Sequence, residues 1–387
     1  MNLIQESAEA AELCGRLRQS DAVTIDTEFL RENTYWPKLC LIQLGGPGEA
    51  AAIDPLADGM DLGPVFDLLD DRSVIKIFHS GRQDIEIFHH LSGRIPAPIF
   101  DTQIAAMVCG FGDAVSYEKL IARLTGASID KTSRFTDWSH RPLTNRQLAY
   151  ALDDVIHLRD AYAALVNHLE ESGRTSWLDD EMAVLTDPAT YHTEPREAWR
   201  RLKTRSASPK FLAVLREVAA WREQEAQNRD IPRNRILRDE ALQEIAAHTP
   251  KTVDELTRTR GLTRNMAEGW QGEALLAAVK RGLNVANDQR PRLAKSRPLP
   301  DGIGPTVELL KVLLKLKCEQ HGVAQKLLGT TADLERIAAD DDAEVPALKG
   351  WRRELFGNDA LALKHGEIAL RIDHGAVQLV DLKQSVA

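Results

Sequence analysis

The chain has 387 residues, 43% of them apolar and 28% charged, with a formal net charge of −9 and four cysteines. That length exceeds what one core usually supports, about 250 to 300 residues, so two or three globular domains are expected. No stretch approaches the ~20 apolar residues of a membrane helix, the opening MNLIQESAEAAELC has acids where a secretion signal has positive charge, and Cys14, Cys40, Cys109 and Cys318 form no CxxC pair; a cytoplasmic protein with reduced thiols, no membrane attachment, no zinc cluster and no disulfide framework is expected.

The first predicted element in chain order is AVTIDTEF, residues 22 to 29, read as a strand. Alternation directs Val23 and Ile25 to one face and Thr24, Asp26 and Glu28 to the other. Two neighbouring carboxylates repel unless a cation or a proton lies between them. The pair is therefore either a divalent-metal site or a solvated strand end. LCLIQLGG from Leu39 and AAAID from Ala50 continue a meander, and SVIKIFH from Ser73 reads as a fourth strand. Helical patterns follow: GRQDIEIFHHL from Gly81, apolar at Ile85, Phe88 and Leu91, then TQIAAMVCG after the short strand PIFD. A mixed sheet with helices on both faces is expected over residues 1–170. The region ends in a long helix, TNRQLAYALDDVIHLRDAYAALVNHLEE, with Thr144 placed to cap it.

Residues 171–204 read as a helical connector anchored by Trp177, Leu178, Met182, Leu185, Trp199 and Leu202. An all-helical domain is expected over 205–286, opening on the cap-and-proline pair Ser208 and Pro209, with Thr252 and Glu255 as an internal capping box. The proline- and glycine-rich residues 287–304 have linker composition. Residues 305–387 begin with another long helix, TVELLKVLLKLKCEQHGVA, as a second copy of the preceding module would. They end in EIALRIDHGAVQLV, which alternates around Asp373, His374 and Gly375 like a hairpin. Asp340 to Asp342 read as a solvated loop.

Charge is distributed unevenly over this plan. Residues 1–170 hold 15 Lys and Arg against 25 Asp and Glu, a balance of −10; residues 205–297 hold 18 against 12, a balance of +6. The acidic part suits cations and the basic part suits phosphates, although ordinary solvated surfaces would give the same numbers.

Three further positions join the first acidic pair. Asp84 lies in the first turn of a helix that follows a strand, so it projects over strand ends. Tyr150 and Asp154 are four apart on the long helix and share a face. With DTE at Asp26 to Glu28, the Asp84 motif and YALDD at Tyr150 to Asp154 in this order, the chain resembles the DEDD superfamily of 3′–5′ exonucleases, specifically its tyrosine-bearing branch. There the tyrosine precedes the last aspartate by four residues; the histidine branch uses the position before, here Ala149. Asp153 falls outside the pattern. Phe100, Asp101, Thr102 and Gln103, and DWSHRPLT from Asp137, also match the family's style. Residues from 208 to about 284 resemble an HRDC domain, and 305 to 375 a diverged second copy.

The resemblance implies an α/β ribonuclease H-like exonuclease domain followed by two all-α HRDC-type domains. It also implies hydrolysis of RNA 3′ ends to nucleoside 5′-monophosphates with two divalent cations, Mg2+ or Mn2+, and tRNA precursors as substrates. Asp26, Glu28 and Asp154 would hold the ion that carries the nucleophile, Asp26 would bridge to the second ion, and Asp84 would support that one mostly through water. Tyr150 would orient the attacking water; a phenol that ordinarily ionises near about 10 suits positioning better than proton removal at neutral pH. No obligate protein partner is implied. A DNA-directed 3′–5′ exonuclease and a non-catalytic nucleic-acid-binding scaffold are the competing readings, although the complete acidic set speaks against the scaffold, and no GxxxxGKT motif is present.

Other residues carry two readings each. Phe29 and Leu30 either wedge against a terminal base or fill the core. His79 is either a ligand or a hydrogen-bonded structural group at a strand end, while His89 and His90 read as surface residues. In the basic module, Trp221, Arg222, Arg229, Arg233, Arg235 and Arg238 are candidates for RNA contact, against a core tryptophan and ordinary helix-surface charges.

Overall fold

The computed structural model describes residues 3–129, 136–204, 206, 208–293 and 299–382. Position 205, residues 294–298 of the expected linker and the last five residues of the expected third domain lie outside them. The first region runs β1 (Leu3–Ile4), α1 (Ser7–Leu17), β2 (Ala22–Leu30), β3 (Lys38–Gly46), β4 (Glu49–Ile53), α2 (Gly63–Asp70), β5 (Ile75–Phe78), α3 (Arg82–Ser92), β6 (Ile99–Asp101), α4 (Thr102–Val108), α5 (Tyr117–Thr125) and α6 (Asn145–Glu171). Its six strands lie in the order β1-β4-β3-β2-β5-β6. The meander β2-β3-β4 is antiparallel, while β5 joins β2, β6 joins β5 and β1 joins β4 in parallel. β1, α1, α2 and α5 were not expected from the sequence; a two-residue strand is too short to alternate.

Helices cover both faces. α1, α2 and α3 bury Leu13, Leu68 and Phe88 against Val23, Ile25, Ile42 and Leu44. α6 closes the other face with Leu148, Ala151 and Leu152 on Cys40, Leu41 and Ala52. β3 runs between them and is buried throughout except at Lys38, which is why its sequence is nearly continuous in apolar residues. Each large aliphatic side chain fully buried here contributes about 1.5–3 kcal/mol. Thr144 caps α6 as expected, accepting from the Gln147 backbone while the Gln147 side chain returns the bond.

Two close approaches seat α6 on the strand that bears the acids. Thr24 donates to the Val155 carbonyl at 2.8 Å, and this requires a glycine across the ladder. A Cβ at Gly45 would lie 2.4 Å from the Thr24 hydroxyl and 3.3 Å from the Val155 oxygen. Ahead of α6, Arg141 grips the nearly inaccessible Asp54 with Nε at 2.7 Å and Nη2 at 2.6 Å and also donates to the carbonyls of Cys40, Trp138 and His140.

The connector is only partly helical: α7 (Asp179–Thr186) lies among short 3-10 turns. Leu185 and Tyr191 belong to the sheet core, whereas Trp199 and Leu202 belong to the core of the next module. That module comprises α8 (Pro209–Asn228), α9 (Arg233–Ile236), α10 (Asp239–His248), α11 (Val253–Thr257), α12 (Arg264–Glu268) and α13 (Trp270–Leu283). Two expected caps differ. The Ser208 hydroxyl makes no capping bond, leaving Pro209 alone to start α8, and Glu255 accepts from Lys251 rather than closing the box on Thr252.

The C-terminal part has α14 (Gly304–His321), α15 (Gln325–Leu328), α16 (Thr331–Ala339), α17 (Gly350–Arg352), α18 (Asn358–Lys364) and the hairpin β7 (Ile368–Asp373) and β8 (Ala376–Asp381), turning on His374 and Gly375 at positive φ. It shares a core with the first region, Leu310, Leu313 and Leu314 meeting Ala105, Val108, Leu165 and Leu169. Trp177 stacks on Trp351 with ring centroids 4.2 Å apart. Asp341 pairs with Lys364 and His365. Among the described residues, no helix is long and apolar enough to cross a membrane.

Arg141→Ala leaves Asp54 buried without its cation, so unfolding in urea should show a loss of about 3 kcal/mol.

Candidate active site

β2 outruns its parallel neighbour. Its last contact with β5 is Thr24 opposite Ile77, so from Asp26 onward one edge of β2 is open. On the other edge it pairs with β3 from Thr24 to Leu30, with a register shift between Glu28 and Phe29 where β3 carries Cys40 as an extra residue. Such a bulge bends the strand that carries the extra residue, here β3, and leaves the alternation of β2 intact. Asp26 and Glu28 stand half-buried where β2 has lost β5 but still pairs with β3, on the face that α6 covers.

α6 brings Asp154 to them. One ligand oxygen from each of Asp26, Glu28 and Asp154 can be chosen so that all three lie within 4.8 Å of one another. Tyr150, one turn earlier, is half-buried with its ring centroid 6.1 Å from that of Trp138. Asp153 stands outside the trio. Its backbone carbonyl instead accepts from the Tyr117 hydroxyl at 2.8 Å.

Asp84 arrives past the open edge of β2. It is buried in the first turn of α3 and accepts from the Thr27 hydroxyl, the residue between the two β2 acids. Asp101 orients that turn: its carboxylate accepts from the backbone N–H groups of Ser80 at 3.0 Å and Gly81 at 2.9 Å, and from Gln103 at 2.8 Å. A side chain at Gly81 would collide with Phe78, Cβ to Cβ 2.4 Å. The FDTQ segment thus aims Asp84.

The electrostatics are those of crowded acids. Burial, then the charges of Asp154, Asp84 and Glu28, hold Asp26 well above the usual carboxylate range. Burial pushes Asp84 up to about 7, against the opposing Thr27 hydrogen bond. Three converging hard oxygen donors, in which like charge is the dominant neighbour of Asp26, fit a divalent cation of the Mg2+ or Mn2+ type.

Several sequence candidates are placed differently. His79 is enclosed, its Nδ1 2.9 Å from the Thr102 hydroxyl and its pKa lowered by burial, so it has a structural role. His90 is exposed but stacks on Trp36 at 4.0 Å. Phe29 and Leu30 take opposite faces by strand alternation: Phe29 joins the core under α1 to α3, and Leu30 the cluster under α6 beside Tyr150. They do not form one wedge. Arg222 is buried on Asp239 and the Leu237 carbonyl, Arg233 is held by Glu223 and Tyr35, and Trp221 turns its indole nitrogen inward. These three serve the module's own packing, because an unpaired guanidinium or acid would be costly where they sit. Arg229, Arg235 and Arg238 remain exposed, with Arg235 reaching Asn33.

The loop after β2 docks on the helical module. Asp230 accepts from the backbone N–H of Tyr35 at 3.0 Å and of Trp36 at 2.8 Å, and the Tyr35 hydroxyl meets Glu223. Beside this joint lies a crevice of about 470 Å³, lined by Arg31, Arg201, Arg222 and Arg233 with Glu223 and Asp239. Arg31 is three residues beyond Glu28, about 10 Å at the rise of a strand. Arg31 and Arg201 were not singled out from the sequence, and nothing local marks either as lining a shared crevice.

In the absence of cations, the raised pKa of Asp84 makes the folded protein hold a proton that the unfolded chain releases, so its contribution to stability falls as pH rises from about 4 to about 7. With chelator present, Asp84→Asn should therefore gain thermal stability over the wild type as pH rises from 5 to 8, by about 2–4 °C per kcal/mol removed.

Residues 1–170 match the 3′-5′ exonuclease family and residues 211–279 the HRDC domain. The chain is 54% identical to ribonuclease D of Nitrobacter hamburgensis, covering 98% of this chain and 100% of that one, and 52% identical to ribonuclease D of Granulibacter bethesdensis, covering 98% and 96%. It is similar in structure to Escherichia coli RNase D, an exoribonuclease involved in structured RNA processing, with a TM-score of 0.79 at 30% identity over 95% of this chain and 99% of that one. Full-length similarity at this level places the chain in the ribonuclease D family of divalent-metal-dependent 3′–5′ exoribonucleases.

Proposed function

We propose that this exoribonuclease trims 3′ trailers from tRNA precursors in the cytoplasm, releasing nucleoside 5′-monophosphates at a site built from Asp26, Glu28, Asp84, Tyr150 and Asp154. The observation that carries the site is the convergence of Asp26, Glu28 and Asp154 within 4.8 Å. The tRNA substrate follows the family's usual role.

Two Mg2+ or Mn2+ ions bound here would lower the pKa of the attacking water and stabilise charge on the departing 3′ oxygen. Asp26, which converges with Glu28 and Asp154 and feels the charge of Asp84, would serve both ions. Asp84, whose carboxylate accepts from the Thr27 hydroxyl, would support the second ion. Tyr150 holds the attacking water in line with the scissile phosphate through its hydroxyl, and Trp138 supports the ring. Leu30, beside Tyr150, lines the approach of the terminal nucleotide.

Upstream phosphates would run along the arginine-lined crevice. Arg201, exposed and meeting the Thr193 hydroxyl, offers the accessible guanidinium there, since Arg31, Arg222 and Arg233 are paired with Glu86, Asp239 and Glu223. Guanidinium forks suit phosphate oxygens. Arg229, Arg235 and Arg238 extend the exposed basic surface of the same module.

Asp26→Ala or Asp154→Ala should lower turnover more than ~100-fold with RNA affinity retained, and Tyr150→Phe should lower it by about 100-fold with Mn2+ binding retained. Digestion of matched RNA and DNA oligomers with Mn2+, with and without chelator, checks the assignment. Equal turnover by Asp26→Ala protein would sink it, and preferential digestion of DNA would redirect it.

Arg201→Ala should weaken binding of RNA longer than a few nucleotides and reduce the slope of log affinity against log salt by about 0.7, while cleavage of a dinucleotide is unchanged. Unaltered salt dependence in anisotropy titrations would remove the crevice from the RNA path.

A further inference from the structure

Gln43 lies in β3 directly opposite Asp26 in the antiparallel register, and it is completely buried. Both of its amide atoms are enclosed and have no hydrogen-bond partner, a condition that no other carboxamide among the described residues shares. Its partner on the other side is Ala52, and two residues back is Leu41; both belong to the cluster under α6. Gln43 therefore faces α6, as Asp26 does.

The surroundings do not call for an amide. Leucine or methionine would fill a similar volume among apolar neighbours with nothing polar to bury. The nearby Thr24 hydroxyl is already committed to the Val155 carbonyl. What the ladder sets opposite the amide is Asp26, at the roughly 4.5–5.5 Å Cβ separation of directly paired residues. A glutamine side chain spans that gap after rotation about its own bonds.

We infer that Gln43 is a positioning residue for Asp26, its Nε2 donating to the Asp26 carboxylate when that group holds a divalent cation together with Glu28 and Asp154. The inference rests on the reading of Asp26 as an ion ligand. An amide that is unpaired without the ion and paired with it adds to the free energy of ion binding at the expense of the stability of the ion-free protein. Groups that orient a ligand in this way usually change metal affinity about 10–100-fold when removed.

Gln43→Met and Gln43→Leu in the full chain test this with three readouts: Mn2+ affinity by calorimetry without RNA, thermal midpoint in chelator, and kcat and KM on an RNA oligomer. The expected result is Mn2+ binding weakened about 10–100-fold, a midpoint in chelator equal to or above that of the wild type, a lower kcat and an unchanged KM. Wild-type Mn2+ affinity in either variant would overturn the inference, as would weakened binding that merely tracks a lower midpoint in both. A wild-type protein that binds no Mn2+ would overturn the ion reading and this inference with it. Normal wild-type binding with unchanged variants overturns this inference alone.

Discussion

Mutual repulsion among carboxylates at the end of β2 is the constraint around which the first region is built. Two unit charges 4 Å apart near a protein surface oppose each other by about 4 kcal/mol. Asp26 and Glu28 share one face of β2, and α6 adds Asp154 so that one ligand atom of each lies within 4.8 Å of the others. The fold supplies the restraint from neutral contacts: Thr24 on the Val155 carbonyl, the bare Cα of Gly45 that admits it, and the layer of Leu148, Ala151 and Leu152 beneath α6. On the open edge, Asp101 fixes the turn and Thr27 fixes the carboxylate of Asp84. The site is thereby held ready for positive charge: burial first and the neighbouring acids second raise the pKa of Asp26, and burial raises that of Asp84.

The other modules attach at the two ends of this arrangement. The basic module grips the loop that leaves β2, through Asp230, Glu223 and Arg233 on Tyr35 and its neighbours. A largely buried pair such as Glu223 and Arg233 adds little net stability compared with apolar packing, but breaking it is costly. It is better understood as fixing the angle at which the module meets the active-site strand. The C-terminal module shares its core with α4 and the far end of α6. One long helix thus carries Tyr150 and Asp154 at one end and an interdomain core at the other.

Much of the site was legible in the sequence because its signals are local. The DTE triplet sits on a strand with period two, Tyr150 and Asp154 sit on a helix with four-residue spacing, and Asp84 opens a helix after a strand; each pattern reports its own geometry. Where the reading failed, the partner lay elsewhere in the chain. Arg222 and Arg233 looked like surface charge until Asp239, Glu223 and Tyr35 were found against them. Phe29 and Leu30 take opposite faces because neighbouring strand residues alternate, and the helices packed on each face decide what each one meets. The Ser208 cap and the Thr252 box depended on rotamers that no spacing specifies.

The sequence by itself therefore determined the chemistry: which acids and which tyrosine are available, on which kind of element, and in an order that matches one branch of one superfamily. Periodicity carries that information because strand and helix repeats depend only on the local backbone. Only the tertiary structure decided which atoms meet. Thr27 with Asp84, Thr24 with Val155, Tyr35 with Glu223 and Gln43 opposite Asp26 are contacts between segments far apart in the chain, or pairings across a ladder. Those contacts follow from burial and repulsion summed over the whole fold, which no local pattern contains.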